Sequence, residues 1–154
     1  MHPHFRDLTE SLEPSFRRLM EGPPTTSSHQ WGARKTPGVY LFSEGETALY
    51  VGRTNDLRSR YKSHHGQSVK DSPLAFRLAR EVTGFVKPTY QPGEGSRKSL
   101  LQHPTFSEAY AAQKVRIAAM DWRYVVEADP IRQCLLEVYC AVVLKTSYND
   151  FDNH

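Results

Sequence analysis

Two runs of β-branched and aromatic residues, GVYLF at 38–42 and ALYVG at 48–52, flank the segment SEGET, whose Gly45 suits a tight turn. Such runs pair as an antiparallel hairpin. Tyr40 and Tyr50 fall at the same alternation phase on neighbouring strands, so both rings face one side, close enough to share a pocket instead of only filling a core. Asn55 or Asp56 then offers an N-cap to a short basic helix, DLRSRYKSHH, that ends near Gly66.

The remaining segments supply the partners this hairpin requires. Residues 5–21 carry helical apolar spacing at Phe5, Leu8, Leu12, Phe16 and Leu19, with Pro14 splitting the run into two short helices. EGPPTTSSHQWGARKTPG, residues 21–38, is rich in Pro, Gly, Ser and Thr and reads as an exposed or draped arm. PLAFRLAREVTG at 73–84 reads as a helix with a glycine stop, and 87–104 as a long loop. Thr105 and Glu108 form a capping-box pattern that opens a helix to about Met120, and DWRYVVEA at 121–128 alternates as a third strand. Asp129-Pro130 starts the last helix, PIRQCLLEVYCAVVLKT, which is apolar on most faces and is expected to be buried. The fold class is therefore α+β, a small three-stranded antiparallel sheet flanked by helices. An N-terminal helical segment and arm occupies residues 1–36, and the main domain 37–154 carries a helical and loop insertion at about 66–104.

At 154 residues, 38% hydrophobic and 24% charged, the chain has the size and composition of one globular domain. Its longest apolar stretch, Val138 to Leu144, is far short of the ~20 residues a bilayer helix needs, and the segment MHPHFRDLTE lacks an apolar signal core, so the expected compartment is the cytoplasm. Cys134 and Cys140 lie well apart around a helix axis and indicate neither a disulfide nor a zinc site. The seven histidines show no ligand-type pairing beyond adjacent His64 and His65. Net charge is only +3, but Arg53, Arg58, Arg60 and Lys62 cluster within ten residues, a footprint suited to phosphate. Glu137 sits in the middle of the apolar last helix. Burying that carboxylate unpaired would cost several kcal/mol, so it must reach a partner, a metal or solvent in a cleft.

The motif GVY at 38–40 followed by YVGRTNDLRSRYKSH at 50–64 resembles the GIY-YIG nuclease family in residues and spacing. Tyr40 and Tyr50 match the two motif tyrosines, Arg60 the phosphate-binding arginine, and His64, one helical turn on, the assisting histidine. CLLEVYCAVVLKTSYNDF resembles the carboxyl-terminal motif, which makes Glu137 the metal-binding glutamate and Asn149 the asparagine beyond it. Both motif isoleucines are valines here, Arg53 stands where relatives often have lysine, and the interval from Arg60 to Glu137 is longer than in the family's repair nucleases. The resemblance implies a metal-dependent DNA endonuclease that hydrolyses phosphodiester bonds with one Mg²⁺ or Mn²⁺ on Glu137, of a compact restriction-type or mobile-element kind. DNA contacts are expected from Arg53, Arg58, Lys62, Lys87, Arg97 and Lys98. Double-strand cleavage from one site calls for a homodimer or sequential nicking. A DNA-binding module without cleavage and a structural protein with core tyrosines are the alternatives.

Overall fold

A computed structural model describes residues 1–66, 72–85 and 96–152. In chain order its elements are α1 (Pro3–Glu10), α2 (Glu13–Glu21), a single 3₁₀ turn (Ser28–Trp31), β1 (Gly38–Glu44), β2 (Thr47–Thr54), α3 (Leu57–His65), α4 (Pro73–Thr83), α5 (Arg97–Gln102), α6 (Pro104–Ala118), β3 (Asp121–Val126) and α7 (Pro130–Leu144). They form two compact units, Met1–Lys62 with Met120–His154, and Ser63–Ala119. The N-terminal segment falls in the unit that holds the sheet, and the second unit lies between the two pieces of the first in sequence.

The first unit is built on an antiparallel sheet of order β2-β1-β3, the α+β architecture expected of the sequence. Tyr40 stands opposite Gly52 on β2 and Tyr124 on β3, and Phe42 opposite Tyr50 and Trp122. One face is consequently aromatic. Tyr40 stacks on Trp122 at 5.4 Å, and Tyr61 of α3 and Trp31 of the 3₁₀ turn meet Trp122 edge-on at 5.1 and 5.5 Å. Period-two alternation sends Val39, Leu41, Val51 and Val125 to the other face, where they pack with Leu12 and Leu19 of the amino-terminal segment and Leu136, Cys140 and Ala141 of α7.

Both sheet edges are occupied. On the β3 side Thr25 N–H donates to the Trp122 carbonyl at 2.7 Å, so the arm runs along that strand. On the β2 side Tyr148 N–H donates to the Leu49 carbonyl at 3.1 Å, so the segment after α7 covers the other. Covering edges this way removes free backbone groups that would template pairing with another chain.

Pro14 lies in the first turn of α2, where its missing N–H costs nothing, and the break between the two helices falls at Ser11–Leu12. Among the contacts that tie this pair to α7, Arg132 donates to the Ser11 hydroxyl and, through Nη2, to the Ser11 carbonyl at 3.1 Å, the Tyr139 hydroxyl donates to Glu13 at 2.7 Å, and Phe16 meets Tyr139 edge-on at 5.2 Å. Asp129 caps α7 through the N–H groups of Ile131 and Arg132. The expected burial of α7 is corrected, because Ile131, Val138, Val142 and Val143 are exposed. An apolar residue on every side does not imply a neighbour on every side, and one flank of α7 faces solvent.

The second unit packs α4 and α5 on α6 around Leu74, Phe76, Leu78, Leu100, Phe106 and Tyr110. Gly84 closes α4 at φ 73°, the glycine stop read from the sequence. Two readings here are corrected. Residues 97–102, expected as loop, form a helix because the Ser96 hydroxyl caps it through Ser99 N–H at 3.1 Å. The capping box at Thr105 does not form, since α6 starts one residue earlier on Pro104 and its N-cap, His103, makes no side-chain bond. Among the described residues no helix is long and apolar enough to cross a membrane.

Candidate active site

The hairpin register places Tyr40 and Tyr50 on one sheet face with ring centroids 6.3 Å apart and a hydrogen bond between the two phenols. Tyr40 is almost wholly buried and Tyr50 half-buried. Tyr40 lies flat across β2 because its cross-strand partner is Gly52. A Cβ there would sit 2.4 Å from the Tyr40 hydroxyl and 2.5 Å from Cζ. The glycine of the YVG motif is therefore a close-approach residue, and that of GVY is another: a Cβ on Gly38 would lie 2.4 Å from the Val125 carbonyl of β3.

Burial holds the Tyr40 phenol protonated well above the usual tyrosine range, and Tyr50 adds to this. The Arg60 guanidinium pulls the other way, and Glu137 pushes the value up again. Arg60 and Glu137 thus both act electrostatically on the Tyr40 phenol, which ties the four residues singled out in the sequence to one another. Asp56 spends its carboxylate on the α3 cap, accepting from Ser59 N–H at 3.2 Å, and among the described residues Arg60 forms no ion pair.

Glu137 projects from α7 with its side chain 20% exposed, and its Oε2 accepts from Arg53 Nε at 3.1 Å. Burial raises its pKa and Arg53 opposes the rise. Among the described residues Oε1 accepts no hydrogen bond. The carboxylate required to find a partner has found one, and it is Arg53, which the sequence assigned to DNA.

Asn149 clamps the segment after α7 onto β2. Its side-chain oxygen accepts from Val51 N–H at 2.9 Å and from the Thr146 hydroxyl at 2.7 Å, and its amide donates to the Val51 carbonyl at 2.7 Å. Val51 lies between Tyr50 and Gly52, so this amide acts like one residue of an extra strand and fixes the backbone that carries the site. Asn149→Ala is expected to cost about 2–3 kcal/mol, the loss of two backbone hydrogen bonds with the Val51 groups left wanting, and a urea melt would measure it. A change under about 0.5 kcal/mol would show that Asn149 does not hold the strand.

The other assigned residues disperse. His64 is fully buried in the second unit, its Nδ1 2.8 Å from the hydroxyl of Ser72, the α4 cap. Arg58 donates to the Gly32 carbonyl and braces the arm. Arg97 stacks over the Phe76 ring at 5.1 Å, Lys62 and Lys98 are exposed, and Lys87 lies outside the described residues. Thr146 and Gly52 went unassigned in the sequence. The near contact of Gly52 with Tyr40 is readable from the hairpin register, whereas nothing local marks Thr146.

A three-stranded antiparallel sheet flanked by helices, with a tyrosine pair, an arginine and a glutamate gathered beside its β2 strand, is consistent with a GIY-YIG-like fold. The chain is 48% identical over 51 residues to UvrABC system protein C of Thermus thermophilus, a match covering 33% of this chain and 8% of that protein. It is 42% identical over 59 residues to UvrABC system protein C of Deinococcus radiodurans, covering 33% and 10%. The match thus spans no more than 10% of the length of either relative. No family model and no solved structure matches the chain.

Proposed function

We propose that this chain is a metal-dependent DNA endonuclease of the GIY-YIG kind. The observation that carries the reading is the convergence of Tyr40, Tyr50, Arg60 and Glu137, four residues from β1, β2, α3 and α7, around one partly buried phenol pair. Local likeness to the two UvrABC system C proteins supports a DNA endonuclease in general.

The residues fit a divalent cation at Glu137. Its carboxylate is a hard oxygen donor with one oxygen unbonded among the described residues, and no cluster of three acid, histidine or cysteine ligands accompanies it there. One protein carboxylate is enough for Mg²⁺ or Mn²⁺, since such ions keep several waters and take substrate phosphate oxygens as further ligands. When bound, the ion supplies Lewis-acid stabilisation of the charge that develops on the phosphate.

Arg60 binds the scissile phosphate through its planar fork. The phenol pair is the candidate base for the attacking water, a role that needs Arg60 and the bound ion together to outweigh the burial that keeps Tyr40 protonated. Gly52 and Asn149 hold the geometry. Gly52→Ala is expected to slow cleavage about 100-fold, because the Tyr40 hydroxyl must move by the order of an ångström, and to cost about 1–3 kcal/mol of stability, because the displaced ring is buried against Trp122. Full activity in that variant would show that the position of Tyr40 is immaterial.

Incubation of supercoiled plasmid with the protein and Mg²⁺ or Mn²⁺ should give nicked circles, and EDTA should stop the reaction. Binding without cutting, falling steeply with salt, would instead mark a DNA-binding module, and neither activity would mark a structural protein. We read the enzyme as a compact restriction-type or mobile-element nuclease. Mapped cuts at discrete positions in a defined DNA library support that reading, and a random pattern counts against it.

A further inference from the structure

We propose that Arg53 is a placeholder cation: it holds Glu137 in the metal-free protein and is exchanged for the divalent ion when the site is loaded. The inference rests on the reading of Glu137 as the metal-anchoring residue.

Three observations carry it. Glu137 has one ion-pair partner among the described residues, Arg53, and the contact is made through Nε to a single carboxylate oxygen at 3.1 Å, not through a two-pronged fork. Such single-point pairing is the weaker kind. The exposures are also unequal, 47% for the arginine side chain and 20% for the glutamate. Arg53 stands on β2 and swings into solvent without opening a hole, whereas Glu137 is fixed on a helix pinned by Arg132, Tyr139 and Phe16. The acid stays and the base leaves. Finally, Glu137 acts electrostatically on buried Tyr40 in opposition to Arg60, so the charge beside it matters to that phenol. A carboxylate with no cation at all would leave that partly buried neighbourhood with an uncompensated negative charge.

Arg53 and a divalent ion repel each other at the distances that contact with one carboxylate imposes, so the two occupy the site in turn. This separates Arg53 from a plain stabilising ion pair. It also distinguishes Arg53 from Arg132, whose pair with Glu127 at 3.0 Å involves a different carboxylate.

Mn²⁺ binding to the whole, DNA-free protein, followed by electron paramagnetic resonance of the free ion, tests this without any cleavage step. Arg53→Gln should bind Mn²⁺ about tenfold more tightly than the wild type, about 1.4 kcal/mol. Arg53→Lys, which restores the cation, should return to the wild-type affinity, and Arg17→Gln, at an exposed ion pair elsewhere, should not differ from it. Circular dichroism on each variant checks folding, and half-exposed Arg53 is expected to alter the melting temperature by only a few degrees. Arg53→Gln binding no more tightly than the wild type overturns the exchange, as does equal tightening in Arg53→Lys. Glu137→Gln should lose the site, and if it binds Mn²⁺ like the wild type, Glu137 is not the metal anchor and the reading beneath the proposal falls with it.

Discussion

Glu137→Gln is expected to abolish metal-dependent nicking, by at least about 10³-fold, while leaving the fold intact. The neutral amide keeps the shape of the side chain but removes the negative charge that, on the proposed reading, anchors a divalent ion, and Lewis-acid stabilisation of several kcal/mol would correspond to about a decade of rate for each 1.36 kcal/mol. The fold survives because the ion pair lost with Arg53 is half-exposed, a class of interaction worth about 0–1 kcal/mol. A plasmid nicking assay beside a thermal melt separates the two effects, and equal cleavage by mutant and wild type would end the nuclease assignment of this residue. Acid pH offers a second check. Burial raises the Glu137 pKa in the metal-free protein, so protons compete with a divalent ion for its carboxylate above the ordinary carboxylate range, and cleavage should fall as pH drops through that range. The sign for stability is opposite: a raised folded-state pKa means the folded protein binds that proton more readily than the unfolded chain, so this group makes the fold more stable as pH falls through the same range. Activity lost there is not unfolding through Glu137.

Trp31→Ala is expected to cost about 3–5 kcal/mol, the range for truncating a large buried aromatic, and to lower the melting temperature by about 10 °C. Trp31 is 8% exposed although its segment, rich in Pro, Gly, Ser and Thr, reads as a tether. Its ring lies 5.0 Å from Tyr124, 5.5 Å from Trp122 and 5.8 Å from Tyr61, so it joins the arm, β3 and α3 on the aromatic face. The Arg58 bond to the Gly32 carbonyl and the Tyr124 hydroxyl bond to Gln30 at 3.1 Å brace the same turn. An arm that merely hung from the domain would tolerate the substitution, so a shift of under 2 °C would refute this packing role. Because Trp122 also stacks on Tyr40, the variant should slow cleavage as well.

Period and caps made much of this fold legible. The alternation of GVYLF and ALYVG fixed which tyrosines share a face, and Asp129-Pro130 and Gly84 marked helix boundaries that the structure keeps. What escaped had no local signature. A four-residue 3₁₀ turn has no periodicity to announce that Trp31 is a plug. The helix at 97–102 is one and a half turns long and betrays itself only through Ser96. Arg53 reads as one more cation in a basic run because the glutamate that claims it lies 84 positions away. Likewise His64 follows Arg60 by one helical turn in sequence, yet its side chain is buried against a serine of another segment.

The unit that carries the candidate site is written in two pieces of chain, Met1–Lys62 and Met120–His154, with a separate compact unit between them. Central strand β1 therefore waits for β3, and Glu137 and Asn149 follow both strands in chain order. During synthesis the hairpin emerges with its tyrosines and arginines before Glu137 and the clamp on Val51, so on the proposed reading the site stays incomplete until α7 and the segment after it have been made. Early folding of the intervening unit shortens the loop that β3 must close to reach β1, which lowers the entropic barrier to that pairing.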